Sequence, residues 1–239
     1  MTKFTSASLI TCILTSTASV ATADEISIEI QAPSISAAFA NQDGIGAETS
    51  ARISADYTFE TNAGFRLGVW DMDLSDNEGQ GGAPTELSFR QVDFVGFSKF
   101  DATPELSLEF LIGLRALGLN DQNFTSEGRE TNFDGVGGVF GVNGAHTIIP
   151  GGAIYGNFET AVLFGDGDTT AVGEATAENA RSDLSQTTIG FGYEHDFALG
   201  DRSTTLSIGY EATVLSGLED PTDVTVGFDG VVLGASVTF

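Results

Sequence analysis

Along most of this chain, apolar and polar residues alternate one by one. Leu206, Ile208, Tyr210, Ala212 and Val214 fall on one face of an extended segment, with Ser207, Gly209, Glu211 and Thr213 on the other. Residues 53–59, 106–116 and 189–194 repeat the alternation. A period of two is the signature of a β-strand. Glycine is frequent within the apolar segments and there are only 5 prolines, which points the same way. The pattern predicts strands over residues 26–38, 51–60, 64–74, 87–100, 105–119, 133–147, 153–165, 186–197, 203–215 and 225–239.

Many of these segments exceed the roughly 5–6 residues of an ordinary soluble strand and reach the roughly 9–11 needed to cross a membrane at a tilt. Their connections alternate in length. Short turns fall at 61–63, 101–104, 148–152 and 198–202, and longer polar loops at 39–50, 75–86, 120–132, 166–185 and 216–224. That rhythm predicts an all-β fold, a transmembrane antiparallel β-barrel of about ten strands with short periplasmic turns and longer extracellular loops. Pro33 interrupts the first segment, where the apolar phase passes from Ile26, Ile28 and Ile30 to Ile35, Ala37 and Phe39. A barrel of eight strands with a periplasmic N-terminal arm is therefore the alternative.

The two ends carry addresses. Lys3, the apolar stretch 4–20 and Ala21-Thr22-Ala23 before Asp24 read as a secretory signal peptide over 1–23, leaving 24–239 as the barrel. The single cysteine, Cys12, lies in that segment, so the exported chain is expected to form no disulfide and no cysteine metal site. At the other end Val231, Leu233, Ala235, Val237 and Phe239 alternate with small polar residues. This looks like the terminal strand by which the barrel assembly machinery recognises its clients, so Phe239 is expected to be needed for insertion. The expected location is the bacterial outer membrane, with its lipid and lipopolysaccharide as surroundings. A balance of 9 basic against 34 acidic residues, formally −25, excludes nucleic acid as a partner.

The segments Phe110-Leu111-Ile112-Gly113-Leu114-Arg115, Phe133-Asp134-Gly135-Val136-Gly137-Gly138 through Gly141, and Ala161-Val162-Leu163-Phe164-Gly165 occur in that order. Across roughly 105–165 this resembles the pore-forming outer-membrane protein family typified by the major outer-membrane protein of Legionella. Gly138 departs from the resemblance, which implies a proline there. The resemblance implies a pore or surface protein and brings no catalytic residues with it.

Candidate chemistry is sparse. His146 and His195 both precede short turns, so both belong to the periplasmic end, and neither has a serine at nucleophile–base spacing. Asp71, Asp73, Asp76 and Glu78 cluster at a strand end, as do Asp166 and Asp168, but Gly82 stands at the twelfth position where a calcium loop needs a bidentate Glu. Gly79–Gly82 lacks the lysine of a phosphate loop. No catalytic residue, metal or cofactor is expected. What remains is the polar face. Arg52, Arg66 and Arg115, with Asp56, Glu109, Glu159, Glu194, Asp196 and Glu211, are assigned to the lumen, because an Arg facing hydrocarbon at mid-depth costs about 2–4 kcal/mol. Such a set either lines a hydrated pore or plugs a narrow barrel with ion pairs. The sequence therefore predicts a non-enzymatic, porin-like pore for small hydrophilic solutes, cation-selective through its excess of carboxylates; the alternative is a non-conducting structural or surface-exposed barrel.

Overall fold

The computed structural model describes residues 25–39, 45–76, 85–122, 130–170, 177–217 and 226–239. The signal-peptide assignment, Cys12, Glu78 and Gly79–Gly82 lie outside them. The strands are β1 (Glu25–Phe39), β2 (Ile45–Thr49), β3 (Ala51–Thr58), β4 (Ala63–Asp76), β5 (Thr85–Thr103), β6 (Leu106–Gln122), β7 (Glu130–Ile149), β8 (Gly152–Thr170), β9 (Ala177–Leu199), β10 (Arg202–Ser216) and β11 (Val226–Thr238). They form one antiparallel sheet, and β11 pairs back onto β1 from Ser27↔Thr238 to Phe39↔Val226. The sheet is thereby closed into a barrel without an edge.

β2 and β3 are two halves of one wall strand. Both pair with β1, and the register carries across the break from Gln31↔Arg52 to Ser34↔Thr49 before it shifts by one residue between Ile35 and Ala37. Pro33 makes the break. The Ser50 N–H donates to the Pro33 carbonyl at 2.8 Å, but proline has no N–H to return the bond, so the ladder lapses at that one pair. The closed barrel thus has ten strand positions, and the first segment is a full member of the wall. Eight strands with a free arm is not what forms.

The phase change across Pro33 also has a physical origin. The odd-numbered residues of β1 face inward on both sides of the proline: Gln31 and Glu29 below it, Ile35 and Ala37 above it, the latter two 1% exposed. The strand does not flip; the interior changes from polar to apolar. β4 does the same. Phe65 and Leu67 point outward at 47% and 52% exposure, opposite Arg66, whereas Trp70, Met72 and Leu74 point inward and Asp71 and Asp73 outward. In β5, Leu87 and Phe89 are buried while Arg90 is exposed, and then Asp93 turns inward between exposed Val92 and Phe94. The outward face is apolar only where it meets hydrocarbon. On β8 that band runs from Ile154 through Phe158 and Val162 to Phe164, and Asp166 follows. At about 3.3 Å per residue and a tilt near 40°, such a length matches the roughly 25 Å apolar belt of this barrel class. Beyond it the wall continues toward the long loops as a water-exposed barrel with an apolar core, which explains why β5 and β9 outrun the stretches 87–100 and 186–197 that alternation predicts.

The short turns close tightly. Gly151 and Gly200 adopt φ of 76° and 67°. A side chain at Gly200 would meet nothing within 4 Å, so only the left-handed backbone opposes one. Gly200→Ala is expected to lower stability by about 1–2 kcal/mol, and Gly200→Asn by less, in urea unfolding of the refolded barrel.

Candidate functional site in the lumen

The inward residues of the short-turn half build a charged network around three arginines. Arg66, on β4, donates from Nε and Nη2 to the two Asp56 oxygens at 2.8 Å each, and its Nη1 lies 3.1 Å from Glu109. Glu109 also accepts from Asn143 Nδ2 at 2.7 Å and stands 3.6 Å from Lys99 Nζ. Arg115 donates to both oxygens of Asp93 at 2.7 and 2.9 Å and reaches Glu159 at 2.7 Å. Arg52 spans the lumen from β3 to β10 and meets Glu211 at 2.6 Å, with Gln31 accepting from its Nη1 at 3.1 Å. Each guanidinium presents its planar fork to a carboxylate, the geometry in which a partly buried charge is best compensated.

This network walls a cavity of about 420 Å³. Lys99, Ser107, Glu194 and Ser207 line it toward the short turns, and Trp70, Gln91 and Gln186 at its inner end. Small residues make the room: a Cβ on Gly192 or Gly209 would collide with the Tyr155 ring or hydroxyl, and one on Gly190 with the Asn157 amide. Trp70 forms the roof. The Arg52 guanidinium lies 4.2 Å from its ring centre, and its Nε1 donates to Ser50 Oγ at 3.1 Å, beside the lapse opposite Pro33. Gln186 Nε2 donates to Gln91 Oε1 at 2.9 Å, and Gln91 Nε2 to Asp93 Oδ2 at 2.8 Å. Two buried polar atoms at this level, Gln186 Oε1 and Arg52 Nε, have no hydrogen-bond partner.

Above the roof the lumen is packed with apolar side chains. Trp70 packs edge-on against Phe89 with ring centres 4.8 Å apart, and Phe89 against Phe228 at 5.5 Å. Ile35, Met72, Leu74, Leu87, Leu163, Leu184 and Leu215 fill the space around them, each at most 2% exposed. Hydrophobic constrictions are one of the devices by which channels gate, through dewetting.

The structure thus turns Arg52, Asp56, Arg66, Glu109, Arg115, Glu159, Glu194 and Glu211 into the barrel, most of them as paired groups. Asp196 shares their face but sits exposed at the short-turn rim, where Thr205 Oγ1 donates to it at 2.5 Å. Sequence reasoning missed Asp93, Lys99, Glu29, Gln91 and Gln186. Strand parity is the signal that could have found them, but β5 carries polar residues on both faces around Arg90 and Gln91. His146 and His195 stand exposed on strand ends beside short turns, and His195 Nδ1 lies 3.1 Å from the Tyr193 hydroxyl. Asp71 and Asp73 point outward into water, Asp71 receiving Arg90 at 3.3 Å. Among the described residues, no group of three or more His, Cys, Asp or Glu is arranged to hold a metal ion. Val231, Leu233, Ala235, Val237 and Phe239 line the outward face of the last strand, and the Arg202 guanidinium lies 4.3 Å from the Phe239 ring centre.

Comparison with known proteins gives a fold and a family model. The outer membrane protease OmpT from Escherichia coli superposes with a TM-score of 0.50 at 10% identity, covering 94% of this chain and 99% of that one. The translocator domain of the autotransporter NalP from Neisseria meningitidis gives 0.49 at 13%, covering 96% and 92%. A toluene transporter from Pseudomonas putida gives 0.36 at 7%, covering 90% and 89%. No curated protein sequence matches. The family model described as the Legionella pneumophila major outer membrane protein precursor matches residues 85–216.

Proposed function

The chain belongs to the family of the Legionella pneumophila major outer membrane protein and resides in the bacterial outer membrane, and from that premise we propose that it is a closed barrel, a structural and surface-presenting protein that does not conduct hydrophilic solutes. One observation carries the reading: the apolar plug from Trp70 through Phe89 to Phe228, in which no side chain is more than 2% exposed. The ion pairs below it add to the obstruction, since each luminal Arg is neutralised by a carboxylate from another strand. Arg52, Arg66 and Arg115 each face a carboxylate within the lumen.

A second reading has one feature in its favour. Glu29, Glu194 and Asp196 add carboxylates on the short-turn side beyond those paired with Arg and Lys, so a barrel whose plug moved aside would pass cations in preference to anions. A non-enzymatic role fits the histidines, which stand at the periplasmic end. Assembly by the barrel machinery fits the last strand, whose apolar residues and Phe239 face lipid.

Planar bilayers decide between the readings. Purified barrel, shown folded by its heat-dependent gel mobility, is expected to give no stepwise conductance in 1 M KCl. Regular single-channel steps, with a cation-selective reversal potential in a KCl gradient, would sink the closed-barrel reading in favour of the pore.

A further inference from the structure

The cavity below Trp70 is blind at its inner end and open in charge. Its four cations, Arg52, Arg66, Lys99 and Arg115, are each within salt-bridge distance of a carboxylate. Glu29 and Glu194 line the same cavity, and no Lys or Arg of the described residues lies within salt-bridge distance of either. Among the described residues Glu29 accepts from the neighbouring Gln31 amide, at 2.8 Å. At the inner end Gln186, 1% exposed, lines the cavity, and its amide oxygen is buried without a donor. We propose that this cavity is a binding site for linear aliphatic diamines, with one ammonium between Glu29 and Glu194 and the other reaching inward toward Glu159 and the Gln186 amide oxygen.

The chemistry selects the class. An anion would find every guanidinium already covered. A bare metal ion needs several oxygens around one point, and the carboxylates here are spread over β1, β8 and β9, with no such cluster among the described residues. A ligand with two separated N–H donor groups and an apolar stem meets both ends. The Tyr155 ring, packed close to Gly192 and Gly209, also lines the cavity and supplies an aromatic surface beside the stem. The volume, about 420 Å³, lies within the range of small-molecule sites. Carboxylates outside any direct ion pair, in a low-dielectric recess, concentrate cations at its mouth.

The proposal rests on the closed-barrel reading, because an open roof would let the ligand pass through. The test uses folded full-length barrel in detergent at low salt and 1,5-diaminopentane as probe, followed by calorimetry. Saturable one-to-one binding is expected, weakened about tenfold or more by Glu29→Gln with Glu194→Gln, and several-fold by Gln186→Leu. 1-Aminopentane should bind about tenfold more weakly than the diamine. Each variant is first shown folded by gel mobility; should the double variant fail to fold, the single Glu194→Gln and the monoamine comparison carry the test. Absence of saturable binding at millimolar diamine, equal binding of monoamine and diamine, or undiminished binding by the folded variants would overturn the site. Bilayer conductance separates the two ideas. Binding without conductance supports both, whereas diamine block of open channels keeps the binding groups and overturns the closed roof.

Discussion

Replacing Arg115 with Met is expected to cost the folded barrel about 3 kcal/mol, the lower end of the range for leaving buried charges without their partner. The Arg115 side chain is 2% exposed and holds Asp93 and Glu159 from two different strands. Without it, two carboxylates face each other across a low-dielectric lumen. Their own exposure, 17% and 22%, leaves them some water from the cavity, which keeps the cost below that of a fully buried pair. Arg115→Lys should recover part of the loss, because it restores the charge but not the two-pronged contact with Asp93. Combining Arg115→Met with Asp93→Asn and Glu159→Gln should recover most of it, since the repulsion is removed with the cation. Equilibrium urea unfolding in lipid vesicles reads all four proteins. An unchanged midpoint for Arg115→Met would mean that the network contributes nothing to the fold.

The second large effect belongs to the plug. Phe89→Ala is expected to destabilise by about 3–5 kcal/mol, the range for emptying a buried aromatic site. Phe89 is 1% exposed and is the central ring between Trp70 and Phe228, so both neighbours lose their edge contacts. The barrel wall is held by its ladder and cannot collapse to fill the hole. The same unfolding assay measures the loss, and Phe89→Leu should show a much smaller one because most of the volume returns. Emptying Trp70 and Phe89 together removes the roof and the centre of the plug. That double variant is expected to conduct and the parent protein to stay silent; silence from both in bilayers would mean that the leucines alone seal the lumen.

Several features of this protein are written locally in the sequence. Alternation along 206–214 and 106–116 is a property of each strand by itself, since successive side chains point to opposite faces. Turn positions and the even rhythm of short and long connections follow from local turn chemistry and strand length. Parity put Arg52, Arg66, Arg115 and their acidic companions on one face, and the cost of a charge in hydrocarbon told which face that was.

What parity could not supply was the partner of each charge or the nature of the interior above it. Arg52 meets Glu211, 159 positions away. That contact exists because β1 and β11 close the barrel and bring β3 and β10 across the lumen. The apolar plug was hidden for a related reason. Trp70, Met72 and Leu74 alternate with polar residues as cleanly as a lipid-facing stretch does, and the pattern is the same whether the apolar side looks out to lipid or in to a dry core. Alternation determined the barrel, its span and its orientation. Only closure, by fixing the level at which water replaces lipid outside the wall and which side chains meet inside it, decided which charges pair across the lumen and where its interior turns apolar.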